Sequence, residues 1–243
     1  MKAIILAAGK SSRLYPLTKE NPKCLLEISK GLSIIEFQIS ILNELGINDI
    51  HVVTGFKSNK IKDRLKDTVE YHYYDNYMNT NNLHTLNFIS DELDDDVLIL
   101  FSDVIISKKL LSICKQSKDD FNLLIDKNNV TDKTMRVLIK NKLIVDLGAH
   151  ISVIEGDANF IGIAKYSKNG ALRLKKMINK ICDDKIYINE YYTIALTELA
   201  KIGGNINFTS NNERHYWNEI DFLEDFIQVK KDFNKLKKEL YRD

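Results

Sequence analysis

Residues 1–23 read MKAIILAAGKSSRLYPLTKENPK, a short apolar strand that runs into a loop of small and cationic residues. The loop lacks the spacing of the common phosphate-binding turns. A Walker loop needs a glycine five places before Gly9, and the dinucleotide-binding G-x-G-x-x-G is absent. Small residues after a strand nevertheless let a base or a phosphate approach the backbone N–H groups closely. The stretch therefore predicts a ligand-binding loop at the carboxyl end of a first strand.

Apolar runs alternate with helical periodicity through the first half of the chain, which is typical of βαβ units. The predicted strands are Ala3–Leu6, Ile50–Val53, Val69–Tyr73 and Val97–Phe101, and the predicted helices are near Ser33–Leu45, Ser58–Leu65, Thr80–Ile89 and Lys108–Lys115. This pattern predicts an α/β fold with a doubly wound, mostly parallel sheet. Ligands in such sheets bind beyond the carboxyl ends of the strands.

The second half changes to short strands at close spacing. We expect Leu123–Asp126, Met135–Ile139, Leu143–Leu147 and Phe160–Ala164 to be strands, followed by helices near Asn169–Ile181 and Glu190–Ala200 and a strand at Ile206–Thr209. The strands within about 121–166 predict a small inserted substrate lobe on the acceptor side. No linker divides the chain, so residues 1–243 are interpreted as one domain.

The C-terminal segment, 222–241, predicts a helix with an apolar stripe. The stripe consists of Phe222, Phe226, Val229, Phe233, Leu236 and Leu240. Packing on the core of the same chain is the first interpretation, and a dimer interface is the alternative. The chain is therefore expected to be a monomer or a homodimer.

Composition excludes several classes of protein. The 243 residues include 35 Lys and Arg against 34 Asp and Glu, so no overall field favours nucleic acid or an anionic membrane. The three cysteines are far apart and have no C-x-x-C spacing, which argues against a disulfide framework and fits a reducing cytoplasm. No apolar run approaches 18 residues, so we expect neither a signal peptide nor a membrane span.

Two cations in the first loop are candidates for binding phosphate. Arg13 offers a planar fork that grips oxygens in two places, whereas Lys23 is a mobile point charge. Pro16 and Pro22 stiffen the segment between them. The structural alternative is a polar surface loop that binds nothing.

The loop Leu6-Ala7-Ala8-Gly9-x-x-Ser12-Arg13-Leu14-x-Pro16-Leu17-Thr18, with Pro22-Lys23, resembles the signature of the nucleotidyltransferases that make NDP-sugars, CDP-choline and related CMP conjugates. The likeness extends to Phe101-Ser102-Asp103 and to Trp217-Asn218-Glu219-Ile220-Asp221. It implies that Arg13 and Lys23 act in catalysis by neutralising the triphosphate, and that Asp103 and Asp221 bind Mg²⁺. The nucleotide-binding residues it implies are Leu6, Ala7, Ala8, Gly9, Lys10, Ser12, Arg13, Lys23, Asn82 and Ser102.

The residues alone give a separate reason to expect a metal. Asp103 follows an apolar strand and so lies at the same sheet edge as the first loop. Carboxylates there suit Mg²⁺, which takes one or two protein carboxylates and substrate phosphates. Helix capping is the alternative for Ser102 and Asp103, which precede a helix, and for Asp221, since Asp221-x-x-Glu224 has capping-box spacing.

The segment Asn79-Thr80-Asn81-Asn82 opens a predicted helix, which Thr80 or Asn81 would cap. It resembles the asparagine-rich stretch of the cytidylyltransferases that act on phosphocholine and phosphonates. The enzymes that act on sugars carry a Gln-Gly segment at the same place. The resemblance places Asn82 near the base of CTP. Capping without ligand contact is the open alternative.

The acceptor site is predicted from weaker likenesses, such as Met135-Arg136-Val137 and Glu190-Tyr191-Tyr192. Aromatic faces with one carboxylate suit a cationic head group. The candidate acceptor-binding residues are Arg136, Tyr187, Glu190, Tyr191 and Trp217. Arg136, Ala149 and Asp157-Ala158-Asn159 depart from the family pattern, so the acceptor is not fixed as phosphocholine.

The first hypothesis is an Mg²⁺-dependent transfer of CMP from CTP to a small phosphorylated or phosphonate metabolite, with release of pyrophosphate, as serves surface-polymer synthesis. A phosphate monoester is already mostly dianionic at neutral pH, so no general base is required. The alternatives are a sugar-1-phosphate uridylyl- or thymidylyltransferase using another nucleoside triphosphate, and a nucleotide-binding regulatory subunit without catalysis.

Overall fold

The computed structural model describes residues 1–241, except for the side chains of Leu236 and residues 238–240. The strands are β1 (Lys2–Ala7), β2 (Glu27–Ser29), β3 (Leu32–Ser33), β4 (Asp49–Thr54), β5 (Glu70–Tyr73), β6 (Val97–Phe101), β7 (Val104–Ile106), β8 (Phe121–Asp126), β9 (Arg136–Lys140), β10 (Leu143–Gly148), β11 (Ala158–Tyr166), β12 (Asn207–Ser210) and β13 (Trp217–Glu219). The helices are α1 (Ile34–Glu44), α2 (Ser58–Leu65), α3 (Asn82–Phe88), α4 (Lys108–Lys115), α5 (Lys168–Cys182), α6 (Thr193–Lys201) and α7 (Leu223–Leu240).

Nine strands form the main sheet. Its order is β10-β9-β11-β6-β1-β4-β5, and β8 pairs with both β11 and β12. Strands β6, β1, β4 and β5 are parallel to one another, whereas β11 runs antiparallel to β6. The predicted doubly wound, mostly parallel α/β fold is therefore confirmed.

Side chains alternate between the two faces of the central strands, so the apolar core consists of two clusters, one on each face of the sheet. Ile5 and Leu100 belong to the apolar cluster that packs against α1, α4 and α7, while Ile4 and Ile99 belong to the cluster that packs against α3, α5 and α6. Because successive strand residues face opposite sides, helices must cover both faces of the sheet.

The strands expected as an inserted lobe extend the main sheet instead of forming a separate one. β11 pairs with β6, β8 and β9 in antiparallel register, so the strands within 121–166 are continuous with the parallel half. Two pairings were not predicted: β2 with β3, and β7 with β13. The second brings two distant segments together at the carboxyl end of β6.

The described part of the C-terminal stripe packs within the chain. Val229 and Phe233 are buried, and the Phe233 ring meets Phe37 edge-on with centroids 5.4 Å apart. The first interpretation of this stripe is therefore confirmed for these residues, whereas the predicted side-chain positions of Leu236 and Leu240 lie outside the described residues. No helix in the described chain is both long enough and apolar enough to cross a bilayer.

Candidate active site

The first loop lies beside the turn that follows β6. Leu6 pairs with Phe101, so Ala7–Gly9 and Ser102–Asp103 leave adjacent parallel strands at the same edge. Gln38 of α1, itself buried, donates to the carbonyls of Phe101 and Val104 at 2.8 and 2.9 Å. These two bonds hold the turn that carries Asp103.

Backbone contacts fix the loop itself. Ser11 has a left-handed backbone with φ of 51°, and its carbonyl accepts a hydrogen bond of 2.7 Å from the buried Thr18 hydroxyl. The carbonyl of Ala8 accepts from the N–H of Phe56 at 3.0 Å. These contacts within the chain set the shape of the loop.

The unpredicted pair of β7 and β13 brings Asp221 to Asp103. Glu219 pairs with Val104, and the N–H of Ile220 donates to the carbonyl of Asp103 at 3.0 Å. Ligand oxygens of Asp103, Glu219 and Asp221 all lie within 4.8 Å of one another. The arrangement is a cluster of three carboxylates of the kind that holds a divalent cation.

Lys23 lies inside this cluster. Its buried Nζ donates to Asp103 Oδ2 at 2.8 Å, to Asp221 Oδ1 at 2.9 Å and to the carbonyl of Ile220 at 2.7 Å. Burial by itself lowers the pKa of a lysine, but the charges of Asp103 and Asp221 outweigh it and raise the pKa of Lys23 above its usual range. Lys23 is therefore a permanent cation at the centre of the site.

Arg13 approaches from the mouth of the site. Its side chain is 55% exposed, and Nη1 lies 3.0 Å from Asp221 Oδ2 while the guanidinium carbon lies 5.6 Å from the centroid of the Phe222 ring. The exposed guanidinium can turn towards incoming phosphate oxygens, because the buried Asp221 carboxylate keeps Lys23 as a partner.

The carboxylates keep one oxygen that could bind a hard cation. Asp103 Oδ1 is buried and has no hydrogen-bond partner in the described structure. Burial, then the charges of Asp103 and Asp221, raise the pKa of Glu219 well above its usual range. An unpaired buried oxygen beside crowded carboxylates fits Mg²⁺, which prefers oxygen ligands.

The structure does not support the alternative interpretation that Asp103 caps α4 and Asp221 caps α7. α4 begins after Ser107, whose hydroxyl accepts from Leu110, so neither Ser102 nor Asp103 caps it. At α7 the Asp225 carboxylate accepts from the N–H groups of Asp221 and Phe222, which leaves the Asp221 carboxylate to Arg13 and Lys23.

A cavity of about 380 Å³ opens over the loop and the acids. Its lining includes these predicted site residues: Leu6, Ala7, Ala8, Gly9, Arg13, Lys23, Asn82, Ser102, Asp103, Arg136, Tyr191 and Asp221. Lys10 and Ser12 are exposed and do not line it. Cys24 also lines it, but burial raises the pKa of its thiol to about 12, so it is no thiolate nucleophile.

Asn81 and Asn82 have structural partners at the cavity wall. Asn81 is the N-cap residue of α3, as one predicted alternative had it, and its Oδ1 accepts from the N–H of Asn82 at 2.8 Å. Asn82 Oδ1 accepts from the N–H of Tyr192 at 2.7 Å, which ties α3 to α6. Asn82 also lines the first cavity.

The Arg136 guanidinium is hydrogen-bonded to backbone carbonyls of neighbouring segments. Its guanidinium donates to the carbonyls of Ile151, Asp132, Thr134 and Ala149 and is buried. These bonds occupy four of the five N–H groups, so the guanidinium acts as a clasp between these segments. Arg136 also lines the first cavity, and its predicted contact with the acceptor stays a prediction.

A second cavity of about 240 Å³ adjoins the same acids, and Gly9 is not among its lining residues. It is lined by Asp126, Asn129, Thr131, Lys133, Thr134, Asn159, Trp217, Asn218, Glu219, Asp221 and Asp225. The indole N–H of Trp217 donates to Asp126 Oδ2 at 2.6 Å, which fixes the ring in the wall. Of the predicted acceptor residues, Trp217 lies here, Tyr191 lines the first cavity, and Tyr187 and Glu190 line neither.

Sequence reasoning missed Glu219 and Asp126 as site residues. Glu219 and Asp221 are two residues apart at the end of an extended strand, a spacing that places both side chains on one face. This two-residue spacing was the sequence signal from which a role for Glu219 beside Asp221 could have been predicted. Nothing in the sequence indicated that Asp126 would meet Trp217.

Comparison with known proteins gives an independent result. The family model described as Nucleotidyl transferase matches residues 2–134, more than half of the chain. The CTP:phosphoglutamine cytidylyltransferase of Campylobacter jejuni is 30% identical over 95% of this chain and 100% of its own length. The choline-phosphate cytidylyltransferase of Streptococcus pneumoniae is 40% identical over 41% of this chain and 43% of its own length.

The fold is shared with a solved structure. The CTP:phosphocholine cytidylyltransferase from Streptococcus pneumoniae superposes with a TM-score of 0.80 at 23% identity, covering 95% of this chain and 97% of that chain. At this identity the likeness supports the architecture described above and nothing finer.

Proposed function

The chain belongs to the nucleotidyl transferase family and is a nucleotidyltransferase, and we propose that it transfers CMP from CTP to a small phosphorylated or phosphonate metabolite with release of pyrophosphate. The observation that carries the proposal is the meeting of two cations and three carboxylates beside the Gly9 loop. The names of the two cytidylyltransferase relatives favour CTP as the nucleotide.

In the proposed reaction the protein contributes the positioning of the reactants and the electrostatic stabilisation of their charges. A phosphate monoester attacks the α-phosphorus as a dianion, and its attacking oxygen forms the new P–O bond while the bond to pyrophosphate breaks. Arg13 at the mouth and Lys23 at the centre neutralise the two anions that must approach each other. No group in this scheme has to remove a proton.

The three carboxylates fit Mg²⁺ as the cofactor. Asp103, Glu219 and Asp221 would hold it, and it supplies charge neutralisation on the triphosphate. Lys23 then has to give up part of its contact with Asp103 and Asp221. Its four-carbon stem allows Nζ to move towards phosphate oxygens while the aliphatic part stays buried.

We assign the nucleotide to the first cavity and the acceptor to the second. The first adjoins the small residues that admit a base, whereas the second shares Lys133, Glu219 and Asp221 with it and extends towards Trp217. The Lys133 side chain is half exposed and its Nζ lies 2.8 Å from Asp225 Oδ1, so it is positioned to receive the acceptor phosphate. Asp126 and the Trp217 ring then meet the remainder of the acceptor.

Three free cysteines, two of them buried, fit the proposed cytoplasmic location. Surface-polymer synthesis is the proposed use of the activated product, since CMP conjugates are donors for transfer of a phosphorylated group. The oligomeric state is left as monomer or homodimer.

The test is pyrophosphate release by the purified chain with each of four nucleoside triphosphates, MgCl₂ and a panel of acceptors. We expect release with CTP and with a phosphorylated amino acid or amino alcohol. Release only with UTP or dTTP and a sugar-1-phosphate would establish the sugar alternative. Tight CTP binding without turnover on any acceptor would instead support the regulatory alternative.

A further inference from the structure

A second cluster of side chains that could ligate a metal lies on strands β4 and β5 and in the turn before β6. One ligand atom each from His51, His72 and Glu92 lies within 4.8 Å of the others. Thr54 ends β4 at the edge of the Gly9 loop, whereas His51 lies nearer its amino end and Glu92 precedes β6. The two clusters therefore have no residue in common.

The sheet places the histidines on one face. Val53 is directly opposite His72 in the parallel register, and His51 lies two residues before Val53. Because side chains alternate, His51 and His72 must project to the same side. Their facing nitrogens, His51 Nδ1 and His72 Nε2, are 3.0 Å apart.

The other nitrogen of His51 already has an acidic partner. Nε2 lies 2.9 Å from Asp49 Oδ1 and 3.7 Å from Glu92 Oε2. A carboxylate on this side favours the N–H at Nε2, which leaves the lone pair of Nδ1 facing His72. A histidine whose far N–H donates to a carboxylate is the usual state of a metal ligand.

The surroundings of the two rings favour a cation. His51 is buried. Glu92 and Asp49 supply negative charge. Lys2 competes for Glu92 at 2.6 Å but also contacts Asp94 at 2.8 Å, so it keeps a partner if Glu92 turns to a metal.

We propose that His51, His72 and Glu92 form a binding site for a divalent transition cation of the Zn²⁺ type, with Asp49 orienting His51. Two imidazole nitrogens and one carboxylate suit Zn²⁺ and its neighbours and are poor ligands for Mg²⁺. Bound metal would replace the hydrogen bond between the rings and join β4, β5 and the turn before β6. Its effect is on stability and not on transfer chemistry.

The experiment is a Zn²⁺ titration of the EDTA-stripped chain, followed by NMR of the ¹⁵N-labelled imidazole nitrogens. The Asp103→Asn background removes one carboxylate from the other cluster. We expect one Zn²⁺ to shift the ring nitrogens of His51 and His72, whereas Mg²⁺ leaves them unchanged. His72→Gln should weaken Zn²⁺ binding about tenfold or more, and His150→Gln, which alters an exposed histidine, should not.

Thermal unfolding provides the second readout. Zn²⁺ should raise the midpoint of the parent and of His150→Gln but not that of His72→Gln, and Glu92→Gln replaces His72→Gln if the latter fails to fold. Unchanged ring signals, or equal affinity in His72→Gln, would show that the two histidines only share a proton. Loss of binding through Asp103→Asn alone would assign Zn²⁺ to the active site. None of these measurements reads transfer activity, so their outcome is separate from the proposed function.

Discussion

The backbone N–H of Ile220 donates to the carbonyl of Asp103 at 3.0 Å, and this contact joins two acidic segments from distant parts of the chain. It continues the pairing of β13 with β7, so the carboxylates on either side of Ile220 are set by backbone geometry. Lys23 Nζ then bonds to Asp103, to Asp221 and to the Ile220 carbonyl. Lys23 thus contacts both of the acidic segments that this hydrogen bond joins.

Asp103→Asn should lower kcat about a hundredfold or more, because it removes one of three carboxylates from the proposed cation site without changing side-chain size. Pyrophosphate release with CTP measures it. Asp63→Asn, on the exposed side of α2, is the matched control and should remain active. Activity near that of the parent would remove Asp103 from the mechanism.

Lys23→Met should destabilise the fold by about 3 kcal/mol, since the buried carboxylates lose their central counter-charge. MgCl₂ should restore part of this loss, because a divalent cation can replace the ammonium among the acids. Urea unfolding with and without MgCl₂ measures both effects. The proposed metal site would be contradicted if MgCl₂ stabilised Lys23→Met no more than the parent.

Gly9→Ala and Gly55→Ala should change different properties of the protein. A Cβ on Gly55 would lie 2.7 Å from both the Ala8 carbonyl oxygen and Tyr77, so we expect about 1–3 kcal/mol of destabilisation. A Cβ on Gly9 meets nothing within 4 Å, so stability should stay within about 0.5 kcal/mol. Only the CTP KM should rise in Gly9→Ala, because the methyl group occupies space meant for the nucleotide. Equal KM values in Gly9→Ala and the parent would argue against this loop as the nucleotide site.

Arg136→Lys should lower stability by about 1–3 kcal/mol, because a lysine cannot reach the four carbonyls that the guanidinium holds. Thermal unfolding and acceptor KM are measured together. If Arg136 acts as a structural clasp, the unfolding temperature should fall with little change in the acceptor KM. A large rise in acceptor KM at unchanged stability would instead support the predicted contact with the acceptor.

Stability should fall in acid partly through Glu36. Burial raises the pKa of this carboxyl, but hydrogen bonds from Arg64 and from Ser33 in the capping box outweigh it and hold the pKa below the usual 4.5. A depressed pKa gives stability that is present above the usual value and is lost as pH falls through the folded-state value. The difference in unfolding free energy between the parent and Glu36→Gln should therefore shrink from about pH 6 to about pH 3. A difference that is constant over this range would exclude the carboxylate as its source, and Asp63→Asn again serves as the control.

The local elements were largely predictable. The strand β6 and the helices α2 and α4 have the bounds expected from periodicity. Their residues carry strong alternating or helical patterns, which express local geometry. The short strands β7 and β13 were missed because three residues of ordinary composition become a strand only when a partner pairs with them.

The residues of the second cavity were harder to predict from the sequence than those of the loop after β1. That loop is a contiguous stretch, so its residues stay neighbours in the fold. The second cavity gathers Asp126, Lys133, Asn159 and Trp217 from four separate segments. Their proximity depends on how β8, β9, β11 and β13 are arranged, which no local pattern records.

The sequence by itself determined the α/β alternation, the small-residue loop after β1 and the family to which the chain belongs, because these depend on residue type at fixed spacing along one segment. Only the tertiary structure decided that Glu219 joins Asp103 and Asp221, that Lys23 lies among them and that Arg136 is a clasp. Those relations depend on pairing between distant strands, and the free energy that selects such pairing comes from burial and hydrogen bonding across the whole sheet.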